Sequence, residues 1–174
     1  INLEHISITI TFGDDCMKRQ FNFKTFLICI TIPLVVGGVS ALLTMNSMEA
    51  FSTMNKPPLS PPGFLFPIVW TVLYILMGIA SYLVLTSGYQ KEDITDALLV
   101  YALQLAFNFF WSLFFFGLGW YLFSFFWLLI LWGLILYTTI LFYRINKPAA
   151  YLMIPYLLWV TFAGYLNLGI ALLN

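Results

Sequence analysis

From Ala97 to Tyr143 the chain carries no Asp, Glu, Lys, Arg or His, a run of 47 residues rich in Leu, Phe and Trp. A soluble element must turn a polar face to water, and none this long is so uniformly apolar. A bilayer removes the difficulty, because about 20 apolar residues cross its hydrocarbon core as one helix. The run is therefore read as two spans, with Gly117-Leu118-Gly119 as the turn between them. The remainder agrees: 62% of the 174 residues are hydrophobic and 8% charged, where soluble chains carry about 25% charged residues. The mean hydropathy is +0.96.

Charge-free runs predict five spans, at roughly 26–45, 64–86, 97–116, 120–143 and 150–173. The fold class is an all-α membrane protein, a single bundle of five transmembrane helices over residues 17–174. Residues 1–16 do not fit the pattern. Ile1 to Thr11 alternate weakly like a strand, Asp14-Asp15 follow, and Met17-Lys18-Arg19 reads as a start, so this stretch is expected to be a non-native or disordered extension. The loop Lys56-Pro57-Pro58-Leu59-Ser60-Pro61-Pro62-Gly63 cannot be helical, because proline removes backbone donors and biases the preceding residue to extended geometry. Pro155, inside the fifth span, is expected to kink it and to free a carbonyl that neighbouring helices must satisfy. Lys18, Arg19, Lys24, Lys91, Arg144 and Lys147 fall on one side of a five-span protein and Lys56 on the other. That asymmetry predicts a cytoplasmic N-terminus and an outer C-terminus, as in a bacterial cell membrane.

The same composition excludes several functions. A formal net charge of zero offers nothing to nucleic acid. Cys16 and Cys29 lack CxxC spacing and His5 lies outside every span, so neither a disulfide framework nor a metal site is expected. No Asp, Glu, Lys, Arg or His lies within a predicted span, which argues against ion-coupled transport, although a Na⁺ site of backbone and hydroxyl groups stays open. Five spans do not halve into inverted repeats. No nucleotide, metal or hydrolase motif is present.

What the spans do contain is aromatic and weakly polar. Trp70, Tyr74, Gly78 and Tyr82 recur every four residues, as do Gln104, Asn108 and Ser112, with Trp111 beside them. Tyr156, Trp159, Ala163 and Asn167 follow a three-or-four spacing, with Phe162 adjacent. Each set shares a helix face. An amide in hydrocarbon is costly unless bonded, so these faces should turn inward. Gln104 and Asn108 either join helices, at about 1 kcal/mol or less per bond, or meet a ligand. Trp120 and Tyr121 adjoin a turn and suit an interfacial belt, while Trp127 and Trp132 suit lipid or another subunit. Gly78 and Ala163 either admit a close helix or leave room for a guest. Aromatic walls with a few amides favour flat, apolar ring systems. The stiff proline loop, with Lys56, Pro57, Pro61 and Pro62, is the expected lid. Ala102 and Ala106 form a small-xxx-small pair on a different face of the third span, which predicts a homodimer there.

Several ordered motifs resemble the tryptophan-rich sensory protein family, which includes the mitochondrial translocator protein, or peripheral benzodiazepine receptor. They are Lys56-Pro57, Pro61-Pro62-Gly63, Pro67-Ile68-Val69-Trp70 and Leu73-Tyr74…Met77-Gly78; then Gln104-Leu105-Ala106-Phe107-Asn108…Trp111…Phe115-Phe116-Gly117; then Lys147-Pro148-Ala149-Ala150 and Pro155-Tyr156…Trp159…Phe162-Ala163…Leu166-Asn167. The resemblance implies a five-helix bundle, often dimeric, that binds porphyrins and related tetrapyrroles. By position it implies a pocket involving Trp70, Tyr74, Asn108, Trp111, Trp159 and Ala163; shared faces add Gln104 and Tyr156, and the matching motif adds Phe162. It also implies that the first loop closes over the pocket, with the porphyrin as ligand or substrate and no required cofactor. Light-dependent breakdown of protoporphyrin, attributed to some members, would map to Trp70 and Trp159. The chain departs from the family pattern at Ala50-Phe51 and Leu59, where a more aromatic lid is usual, and at Trp127, where many members are acidic. No Lys or Arg follows Tyr165, so the sterol motif of some members is not matched. The expected function is enclosure of a planar apolar ligand by the first, second, third and fifth spans, for transport, sensing or disposal. A photo-oxidative enzyme and a small-molecule permease are the alternatives.

Overall fold

The computed structural model describes residues 21–47 and 54–174, so the expectations for residues 1–16 and for Ala50-Phe51 lie outside the described residues. Among the described residues, five helices are long and apolar enough to cross a membrane. They are α1 (Phe23–Thr44), α2 (Leu65–Leu85), α3 (Lys91–Ser112), α4 (Tyr121–Ile145) and α5 (Lys147–Leu173). A 3₁₀ turn, Met45–Ser47, follows α1, and a π turn, Leu113–Gly117, ends α3.

The helices begin where capping chemistry allows, which is not where hydrophobicity begins. Asn22 Oδ1 accepts the Thr25 N–H at 3.2 Å and starts α1. Asn146 Oδ1 accepts the Ala149 N–H at 3.1 Å, with Pro148 in the first turn, and starts α5 ahead of the expected residue 150. The largest correction is in α3, which starts at Lys91 and not near Ala97. Glu92 and Asp93 lie in its first turn, where unpaired N–H groups and the positive end of the helix dipole favour acidic side chains. Charged residues therefore do sit on this membrane helix, but Lys91, Glu92, Asp93 and Asp96 are all exposed at its end.

The π turn widens the end of α3: the Leu118 N–H donates to Leu113 O at 2.9 Å, and that of Trp120 to Phe114 O at 3.0 Å. Gly119, at φ +66°, then reverses the chain into α4, at the turn expected from the Gly-Leu-Gly sequence. Pro155 lies inside α5, which runs on through it. The carbonyl it leaves without a helical donor is that of Tyr151, an exposed residue one turn from the start of the helix.

Around the bundle the neighbours are α1–α2–α5–α4–α3 and back to α1. Close approach of α1 and α2 depends on Gly78. A Cβ there would lie 2.6 Å from Ile30 Cα and 2.8 Å from Cys29 O, both backbone atoms. Pro33, inside α1, has no N–H for the carbonyl four residues back, which is that of Cys29. The carbonyl freed by Pro33 is thus the one against which the bare Gly78 backbone packs, and a Cα–H contact is available to it. Of the two roles open to Gly78, the structure selects close helix approach.

Candidate functional site

The centre of the bundle is closed by its own polar atoms. Gln104, Asn108 and Tyr156 are fully buried. The Tyr74 hydroxyl donates to Asn108 Oδ1 at 2.8 Å, and Asn108 Nδ2 donates to Tyr156 Oη at 3.0 Å. The Tyr156 hydroxyl donates to Gln104 Oε1 at 2.9 Å, and Gln104 Nε2 lies 3.9 Å from Met77 Sδ. The chain of bonds ties α2, α3 and α5 together and satisfies both amide oxygens. Such closed networks are the stable way to hold amides at membrane depth. In this conformation Gln104 and Asn108 join helices and are shielded from any guest.

Beside that network lies a cavity of about 530 Å³. Its walls are Gly37, Gly38, Ser40, Ala41 and Thr44 of α1, Phe66, Pro67, Trp70 and Tyr74 of α2, and Ser112 and Phe116 at the end of α3. Gly37 is required by sterics: a Cβ there would coincide with the Tyr74 ring. The absence of a side chain lets the phenol reach Asn108 and form the floor. Trp70 connects cavity and network, with ring centroids 5.5 Å from Tyr74, 6.1 Å from Trp111 and 6.0 Å from Tyr156. Trp111 is buried and stacked on Phe115 at 5.5 Å, and its Nε1 has no hydrogen-bond partner. Among the described residues, no lining side chain is charged. The Thr44 hydroxyl is already used, donating to Ser40 O at 2.9 Å. The space therefore favours an apolar, ring-shaped guest and offers little to a buried anion.

Of the residues expected to form one site, Trp70 and Tyr74 line the cavity, and Gln104, Asn108, Trp111 and Tyr156 lie behind it. Trp159 and Phe162 are elsewhere. They line a separate groove of about 510 Å³ between α2 and α5, with Ile68, Val69, Val72, Leu73, Leu76, Pro155 and Leu158. Trp159 stands edge-on to Phe66, a wall of the first cavity, at 5.9 Å. Ala163 is buried and lines neither space. The α1 residues were not singled out by sequence. Gly37 and Ala41, and Ser40 and Thr44, each sit four apart, a small-residue pattern that marks them in retrospect.

The first loop does not line the cavity at any residue from Met54 to Gly63. It is fastened to the end of α5 instead. The Tyr165 hydroxyl donates to Pro58 O at 2.8 Å, Asn174 Nδ2 donates to Asn55 O at 3.0 Å, and the Asn55 N–H donates to Asn174 Oδ1 at 3.2 Å. Pro57 packs where a side chain on Gly169 would be, with Pro57 Cγ 2.6 Å from the position of its Cβ. The α4 tryptophans are half-buried and bonded: Trp127 Nε1 donates to Phe107 O at 2.9 Å, and Trp132 Nε1 to Thr161 Oγ1 at 2.8 Å. A second buried pair, Ser124 and Asn167, bonds at 2.8 Å across α4 and α5. Ala102 and Ala106 are exposed on the outer face of α3.

Comparison with known proteins adds a lineage to this geometry. The model of the TspO/MBR family matches residues 29–173. The chain is 40% identical over 159 residues to the tryptophan-rich protein TspO of Chlorobaculum tepidum, covering 91% of this chain and 99% of that one. It is 36% identical over 152 residues to the tryptophan-rich sensory protein of Cereibacter sphaeroides, covering 87% and 90%. It is 38% identical over 142 residues to the translocator protein of Bos taurus, covering 78% and 82%.

Proposed function

Given that this chain belongs to the TspO/MBR family of membrane proteins, we propose that its α1–α2–α3 cavity binds a planar, largely apolar tetrapyrrole such as a porphyrin, for transport, sensing or disposal. The observation that carries the reading is Trp70, whose indole lines the cavity beside the Tyr74 floor. A volume of about 530 Å³ is in the usual range of ligand pockets. Apolar walls take the ring system, and the ring's acidic substituents stay at the mouth, because a buried carboxylate without a partner is too costly. The helix-joining amides then act as a rigid backing, and recognition comes from shape and stacking. We place the N-terminus on the cytoplasmic side of a bacterial cell membrane, from the lysine and arginine asymmetry. The exposed Ala102–Ala106 face of α3 is the proposed homodimer contact.

The test is a titration of the protein in lipid nanodiscs with protoporphyrin, following intrinsic fluorescence and pigment absorbance. The expected result is saturation at one pigment per protomer. A signal that rises linearly, as in empty nanodiscs, would mean partition into lipid and would end the reading.

A further inference from the structure

The groove between α2 and α5 is a second site, on the face of α2 turned away from the candidate pocket. We propose that it seats one hydrocarbon chain of a membrane phospholipid, drawn from the leaflet on the side of the proline loop.

Its chemistry excludes polar guests. Among the described residues, all nine lining side chains are hydrophobic. The only polar atom among them, Trp159 Nε1, is itself buried away from the open space. A water needs two to four polar partners, so water does not fill it. An apolar void of about 510 Å³ left empty in a bilayer forfeits dispersion contacts along its whole wall.

Its shape suits a hydrocarbon chain. Leu73 is recessed at 3% exposure, while Ile68, Val72 and Leu158 stand at the rim with 56%, 51% and 64%. The recess therefore opens outward, toward the lipid. Beneath it α2 and α5 pack directly on one another. A polymethylene chain can lie along such an outward-opening, wholly apolar recess. Its depth also fits. From Ile68 to Leu76 the helix rises about 12 Å, close to the roughly 15 Å that one leaflet contributes to the hydrocarbon core. That stretch is the half of α2 that follows the proline loop, which identifies the leaflet. A chain seated here presses on Trp159, which stands edge-on to Phe66, a wall of the candidate pocket. The two spaces thus share a wall.

Two readouts test the proposal. Native mass spectrometry of the intact protein, washed in detergent until loosely held lipid is gone, should show one phospholipid retained per protomer. Val72→Phe fills the groove and should lose it; Leu129→Phe, exposed on α4, should keep it. In vesicles of phosphatidylcholine brominated at mid-chain, the quenched share of fluorescence should fall in Trp159→Phe, and Trp159 should escape quenching in Val72→Phe. Retention that is equal in wild type and Val72→Phe overturns the proposal. So does a Trp159 that brominated chains never quench. A Val72→Phe variant that dissociates a dimer without changing lipid content would also overturn it, by assigning the groove to a second copy.

Discussion

Replacing Gly78 by alanine adds one methyl group at the tightest point between α1 and α2. The new carbon would stand 2.6 Å from Ile30 Cα and 2.8 Å from Cys29 O. Carbon atoms rest at about 3.5–4.0 Å, so the two helices must part by about 1 Å. No rotamer relieves the clash, because both opposing atoms are backbone. Overpacking of this kind costs about 1–3 kcal/mol, and a backbone clash belongs toward the upper end. Alanine's better helix propensity returns up to about 1 kcal/mol. The expected net loss is about 2 kcal/mol. For a chain of this size that lowers the melting temperature by about 4–8 °C. The assay is thermal unfolding in detergent micelles, with Gly133→Ala as control, since a Cβ at Gly133 meets nothing within 4 Å. The same displacement draws Gly37 away from Tyr74, one turn from Gly78, so ligand affinity should fall as well. If Gly78→Ala melts at or above wild type, the close approach of α1 and α2 is not what this glycine provides.

Asn108→Leu removes two interhelical bonds, at about 0.6 kcal/mol each in a bilayer, so denaturant titration in micelles should show a loss of about 1 kcal/mol. Tyr74→Phe should lose about half of that; no loss in either would mean that the network contributes nothing to stability. Leu59 sits at φ 69°, where a side chain costs about 1–2 kcal/mol. Leu59→Gly should therefore raise the melting temperature and slow proteolysis of the loop, and an unchanged protein would contradict that backbone assignment. Tyr165→Phe removes the bond to Pro58 O. Stopped-flow dissociation of bound porphyrin should become faster if the fastened loop retards release, and an unchanged rate would show that it does not.

The five spans were legible because the bilayer imposes one rule on a long run of sequence. Their ends were not, because helices start at caps. Asn22 and Asn146 lie outside the apolar slab, as does the charged first turn of α3, so hydropathy passes over them. The amide and tyrosine cluster was legible from the four-residue spacing of Gln104 and Asn108. That its members satisfy one another was not, since this depends on which helices are neighbours. Trp159 was placed with Tyr156 on the basis of a three-residue step. Such a step leaves about 60° between the two side chains on a helix of 3.6 residues per turn, enough to send them into different spaces. A small residue such as Gly78 announces close approach but does not name the partner. The α1 wall of the cavity has no aromatic or amide marker, and its contribution emerges only when Gly37 is seen against Tyr74.

The central claim is that the α1–α2–α3 cavity is where a flat apolar guest sits. Ala41 lines that cavity from α1 and is exposed there, so Ala41→Phe fills the space without disturbing the buried network. Protoporphyrin titration of this variant in nanodiscs, beside wild type and the groove-filling Val72→Phe, is the direct measurement. A steric loss of about 1.4 kcal/mol or more corresponds to at least about a tenfold rise in Kd. That rise is expected for Ala41→Phe, with Val72→Phe binding near the wild-type Kd. Equal affinity for Ala41→Phe and wild type would place the guest somewhere else and contradict the account.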